Sequence, residues 1–256
     1  MDIFRLFLAT ILQRKVWVIW LVLIGVGAVV VPLMTPYEQD ITLLEPQRAI
    51  TVWTLFWIAS LTWVLFQGSN LATSLKIHGL GDYFASQGVS PLRQLMQAWL
   101  AVMVFSIILG VATTSISVLW ASPTDPLEAK LWLSLNLQFF ALSQLTIGTL
   151  LFIAIGFSTR IGSAPSFLLA LSVGLYGLYG VGYLKRFSLN ESNALLDKLW
   201  TYSPHLHLSD LSHRLNYKLG ALSTGDFTLF VCYLGGILLM SFAVSGVAFS
   251  PRLRNA

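Results

Sequence analysis

LMQAWLAVMVFSIILGVATTSISVLW, residues 95–120, holds no Asp, Glu, Lys or Arg. Its 26 residues exceed the roughly 20 that a helix needs to cross about 30 Å of hydrocarbon. Further runs of the same kind lie at about Val16–Met34, Ala49–Leu75, Leu131–Thr159, Ala164–Leu184 and Phe227–Ser250. A chain of 256 residues carrying six such runs is expected to be all-α, a polytopic membrane protein with one transmembrane domain over residues 1–256.

Composition points the same way. The chain is 56% hydrophobic and 10% charged with a mean hydropathy of +0.75, against about 25% charged residues in soluble domains. The loops between the runs leave no room for a nucleotide-binding domain, which takes on the order of 150 residues or more. No G-x-x-x-x-G-K-[ST] phosphate loop occurs. Any ATP chemistry therefore belongs to a partner chain, and no cofactor is expected on this one. Carriers driven by protons or ions usually need an ionisable side chain near the bilayer centre, and the six runs contain no acidic or basic residue.

The net charge of +4 does not mark a nucleic-acid partner, because the 15 Lys and Arg residues are scattered over several loops. Their placement predicts topology instead. Arg5, Arg14, Lys15, Lys76, Arg93, Arg160, Arg252 and Arg254 fall on one side, and only Arg48 and Lys130 on the other short loops. The positive-inside rule then puts both termini in the cytoplasm. Lys185, Arg186, Lys198, Arg214 and Lys218 weaken that bias but stand on the outer side by the even span count. The lone Cys232 lies inside the sixth run and allows no intramolecular disulfide. Arg14 and Lys15 ahead of an apolar run resemble a signal peptide, but without a small-x-small site the run is expected to be an uncleaved first span. The expected location is a cell membrane, the bacterial inner membrane in the first instance.

Three amphipathic segments complete the plan. Ile3, Phe4, Phe7, Leu8, Ile11 and Leu12 share one side of a helix over residues 1–15, which predicts an interfacial N-terminal helix. The alternative is a plain extension of the first span. A short helix is expected over 76–88, with Ser90 and Pro91 opening the third span as N-cap and first helical residue. Two short outer helices are expected within 191–222: one with Leu195, Leu196, Leu199 and Trp200 on a face, one with Leu208, Leu211, Leu215 and Leu219. Asp226 is expected to cap the sixth span.

Polar residues inside the runs have two readings. Ser106, Gly110, Thr113 and Ser117 form a helical stripe, and the fourth run adds Asn136, Gln138, Ser143, Gln144 and Thr146. They either hydrogen-bond between helices or line a path for a polar or amphipathic substrate. Among Tyr176, Tyr179 and Tyr183, the first is the better path candidate, since aromatic residues at span ends commonly form the interface belt. His205, His207, Asp210 and His213 carry zinc-type donors, but their spacing does not stack them on one helix face. A solvated interfacial helix is the plainer reading. No H-E-x-x-H occurs, and the four histidines lie outside the runs, so intramembrane enzymatic chemistry is not expected.

With these features in place, the chain resembles the membrane subunit of type-2 ATP-binding-cassette (ABC) transporters, a family that includes exporters of drugs, polysaccharides and haem. The resemblance covers nearly the whole chain and is carried most by Gly81-Asp82-Tyr83-Phe84-Ala85-Ser86-Gln87-Gly88-Val89-Ser90-Pro91-Leu92-Arg93. It implies that the 76–88 helix is a coupling helix docking in a groove of a cytoplasmic ATPase, with Lys76, His78, Asp82, Tyr83, Phe84 and Gln87 as the docking residues. It also implies ATP and Mg on that ATPase, and a second copy of this chain or a similar subunit. The acidic residue often found ahead of the Gly is absent, with Lys76 and His78 nearby instead. Two other classes stay open: a secondary transporter, and a membrane assembly subunit that transports nothing.

Overall fold

A computed structural model describes residues 2–33, 41–191 and 194–251. The expected first-span end at Met34 and the basic flank Arg252 and Arg254 lie outside the described residues. Among those described, every regular element is helical. Five stretches are long and apolar enough to cross a membrane: Glu45–Ile77, Pro91–Trp120, Pro126–Ile161, Ser163–Phe187 and Thr224–Ala248. Helix α1 (Ile3–Arg14) and the start of α2 (Val16–Leu33) meet that standard together as a pair bent by 57°. This is the build of a multi-pass membrane protein.

The bend has a local cause. Lys15 sits in the left-handed region with φ 54° and its N–H bonds Leu12 O at 3.3 Å, closing α1 before α2 begins. Ile3, Phe7 and Ile11 are buried, and α1 packs on α6 (Pro91–Trp120), leaving Leu12 exposed. The amphipathic face is thus narrower than the sequence pattern, and its seam meets protein.

The second span is α3 (Ile41–Ala59), one π-helical turn at Ser60–Val64, and α4 (Leu65–Ile77). It begins earlier than expected because Glu45 and Arg48 ride on the helix where an apolar window stops. Gly79, at φ 65°, then separates α4 from α5 (Leu80–Ser86). The short helix is accordingly half the expected length, and Lys76 belongs to α4. A Schellman pair closes α5: Val89 N–H to Phe84 O and Gly88 N–H to Ala85 O, both 3.0 Å, with Gly88 at φ 79°.

Ser90 caps α6 as the sequence predicts, accepting from Arg93 N with Pro91 following. Asp125 and Pro126 open α7 (Pro126–Ile161) in the same way. Helix α7 is the most enclosed span and contacts α4, α6, α8 (Ser163–Leu175) and α12 (Thr224–Ala248). A π-helical turn at Tyr176–Gly180 joins α8 to α9 (Val181–Glu191). At the start of α12 the cap is Ser223 rather than Asp226: Ser223 Oγ accepts from Asp226 N at 3.1 Å and donates to its carboxylate at 2.7 Å.

The segment between the last two spans holds the first expected outer helix and shortens the second. Helix α10 (Ala194–Tyr202) folds back on α9, with Lys185 Nζ 4.0 Å from the centroid of the Trp200 ring. The second expected helix is instead a 3₁₀ turn at Leu206–Ser209 and a five-residue α11 (Ser212–Asn216). Leu206, Leu211 and Leu215 are buried there, while Leu219 is exposed. Gln138 of α7 grips the return chain through both Leu222 N (2.7 Å) and Leu222 O (3.1 Å). Lys218 pairs with Glu128 at 3.2 Å and reaches Glu45 at 4.0 Å.

Candidate functional site

The α5 end of the bundle gathers the polar ends of several spans. Lys76 Nζ donates to Thr159 O at 2.7 Å, and Thr73 Oγ1 to Ser158 O at 3.2 Å, so α4 satisfies the last carbonyls of α7. A lysine near a helix C-terminus also complements the negative end of the helix dipole. Arg160 does the same for α12, its guanidinium donating to Val247 O at 2.8 Å and to Ala248 O. Ser250 N donates to Thr159 Oγ1 at 2.9 Å. Gln94 of α6 donates to Gly81 O at 3.2 Å and Val89 O at 3.1 Å, which fixes α5 against the third span. Gly81 lies under the chain after α12, where a Cβ would come within 2.2 Å of Pro251 O. The α5 helix is therefore tied to α6 by Gln94 and to the end of α12 by close contact.

Six residues were expected to form the docking set, and they divide by burial. His78, Tyr83 and Gln87 are exposed, Tyr83 at 55%, and the last two share a face of α5. The His78 ring nitrogen Nδ1 lies 2.8 Å from Ser74 O. Asp82 is half-buried. Phe84 is buried, edge-on to Tyr83 with ring centroids 5.5 Å apart, and Lys76 is spent on Thr159. Phe84 holds α5 in place and Lys76 ties α4 to α7; the exposed residues at this end include His78, Tyr83, Ser86 and Gln87.

Three of the candidate path residues, Ser106, Asn136 and Gln144, are hydrogen-bonded between helices. Ser106 Oγ donates to Gln144 Oε1 at 2.9 Å. Asn136 Oδ1 accepts from Trp53 Nε1 at 2.9 Å, while its amide donates to Trp132 O, and Trp132 Nε1 donates to Ser117 O at 3.0 Å. Trp53 is fully buried and stacks on Phe139 at 3.9 Å. Thr113 and Ser117 are also fully buried. Of the two readings, the helix-interface one fits Ser106, Asn136 and Gln144, while the buried Thr113 and Ser117 hydroxyls find no hydrogen-bond partner among the described residues. Tyr176 is half-exposed and its hydroxyl lies 2.6 Å from Ser203 Oγ, anchoring the outer segment. Asn136→Leu should orphan the enclosed Trp53 N–H and lower stability by about 1–2 kcal/mol, above the ~0.6 kcal/mol typical of hydrogen bonds between membrane helices. A melting curve in detergent matching the unaltered chain would contradict this.

At the opposite end the four zinc-type donors do not converge. Asp210 accepts from Ser212 N and Oγ at 3.0 and 2.6 Å, and His213 packs on Tyr217. His205 and His207 lie 5.5 Å apart, with Trp200 edge-on to His205. Burial holds both imidazoles below the ordinary histidine range, and for His207 the charge of His205 adds to it. Among the described residues no three His, Cys, Asp or Glu side chains are grouped to hold a metal ion.

Sequence reasoning missed Thr159, Arg160, Gln94 and the seat of Pro251 on Gly81. Arg160 after an apolar run was the available signal, since a cation there commonly serves helix carbonyls. No family model matches the sequence, and neither a curated protein nor a solved structure is significantly similar to it.

Proposed function

We propose that the chain is the permease subunit of an ATP-driven ABC transporter, an exporter, whose α5 helix receives a cytoplasmic ATPase. The observation that carries this reading is the attachment of α5: a short helix with an exposed Tyr83, Ser86 and Gln87 face, held by Gln94 and pressed under Pro251 beside the joined ends of α4, α7 and α12. A push on that face reaches α6 and the α12 end together. The basic residues Arg14, Lys15, Lys76, Arg93 and Arg160 support a cytoplasmic position for this end, and hence both termini inside. With Ser106, Asn136 and Gln144 bonded within the chain, the translocation path forms between two copies, or between this chain and a similar subunit. ATP and Mg sit on the ATPase.

The structural-subunit reading has one observation in its favour, the complete use of Ser106, Asn136 and Gln144 in packing. A single experiment separates the two. Affinity-purified complex from native membranes should hydrolyse Mg-ATP in proportion to a co-purifying ATPase. Purification of the folded chain with no ATP-hydrolysing partner would overturn the permease reading.

A further inference from the structure

A cavity of about 580 Å³ opens between α7, α8 and α12. Its volume falls within the roughly 300–1,000 Å³ of small-molecule sites. The walls are mainly apolar, with Ile153 and Phe157 from α7, Val173 from α8, and Ile237 and Val244 from α12, and the hydroxyls of Thr149 and Ser241 among them. No Asp, Glu, Lys, Arg or His lines it among the described residues. The roof is the outer segment at Thr201–Pro204 and Leu206. That roof is seated firmly, because Gly177 leaves room for Leu206: a Cβ there would come within 2.7 Å of Leu206 Cγ.

The roof also brings hydrogen-bonding groups below the outer end of the bundle. Tyr233 lies nine residues into α12, about 14 Å along the axis at 1.5 Å per residue. Its hydroxyl accepts from His205 N–H at 3.0 Å, which leaves its own hydrogen to donate. From Tyr233 the wall runs to Val244, roughly 16 Å further along the helix. A charged group would find no counter-charge in this lining, whereas a hydrocarbon tail fits its walls and a hydroxyl or carbonyl finds the Tyr233 end.

We propose that this cavity binds an uncharged long-chain amphiphile taken from the bilayer, its polar head at Tyr233 and its tail toward Phe157 and Val244. The site stands on the cavity alone and does not require ATP coupling.

The test uses the full chain in detergent with a photoactivatable long-chain alcohol, followed by peptide mapping of the label. Label should concentrate on the α12 stretch 237–244 and the α7 stretch 153–157, over the exposed Val22 of α2 and Val111 of α6. Two cavity-filling variants, Val173→Trp and Ile237→Trp, lie on different helices, so a folding failure in one leaves the other. Each should reduce this labelling roughly tenfold, a loss of about 1.4 kcal/mol in binding. Leu239→Trp, at an exposed position outside the lining, should leave it unchanged. A trimethylammonium amphiphile of equal length should label the site weakly. Even labelling over all exposed helices, labelling unaffected by filling, or chain-to-chain crosslinks through the cavity in place of label would each overturn the proposal.

Discussion

Gly156→Leu is expected to abolish recovery of folded chain. Gly156 of α7 faces Ser245 of α12 so closely that a Cβ would lie 2.5 Å from Ser245 Cβ and 2.8 Å from its Cα. The second figure decides the outcome, because a backbone atom cannot step aside as a side-chain tip can. Ser245 is also held there by its hydroxyl, which donates to Phe152 O at 2.7 Å. Moving α12 away would break that bond and pull its end from Arg160 and Thr159. Overpacking a filled core costs about 1–3 kcal/mol where the structure relaxes, so Gly156→Ala should melt measurably earlier and leucine should prevent docking of α12. Gly236→Leu is the control: nothing lies within 4 Å of that Cβ position. Fluorescence-detected gel filtration reads the result, and a monodisperse Gly156→Leu peak of normal height would refute the close crossing.

Tyr83→Glu and Phe84→Glu, one residue apart, should fail in opposite ways. Tyr83 is 55% exposed, so a carboxylate there meets solvent and leaves the bundle intact. Under the proposed function it places a charge in the ATPase contact and should remove the co-purified ATPase. Phe84 is 5% exposed and is the residue whose carbonyl closes the α5 cap. A carboxylate in its place is an unpaired buried charge, costing several kcal/mol, and should loosen the α5 end whatever binds it. The readouts are the melting temperature and the ATPase retained on the affinity column. Equal thermal stability of the two variants would contradict the burial pattern; retained ATPase with Tyr83→Glu would sink the docking role.

Much of the fold was legible because the membrane restricts the choices. Runs without charge, such as residues 95–120, and cap pairs such as Ser90 with Pro91 each rest on a local rule. Boundaries were less legible where helices continue past the apolar window: α3 carries Glu45 and Arg48, and α7 starts at Asp125 and Pro126. The second outer helix is shorter than its leucine spacing predicts for a related reason. Leu208, Leu211 and Leu215 have helical spacing, yet Pro204 and the Asp210 turn break the chain so that Leu206 can enter beside Gly177. Which of two readings applied to Ser106, Asn136 and Gln144 depended on partners 38 and 83 positions away in sequence, Gln144 and Trp53, which no periodicity reveals. The α5 attachment was partly visible in the Gly and Pro punctuation. Arg160 and Pro251 entered it only through the meeting of chain ends that are distant in sequence.

The most direct measurement of the coupling role is site-specific photocrosslinking from position 83 in native membranes. A photoreactive residue in place of Tyr83 should yield an adduct with an ATP-binding protein from the cytoplasm, while the same residue at Val111, on the exposed side of α6, should yield none. No protein adduct from position 83, or labelling of that position by a membrane-impermeant reagent added outside intact cells, would contradict the account.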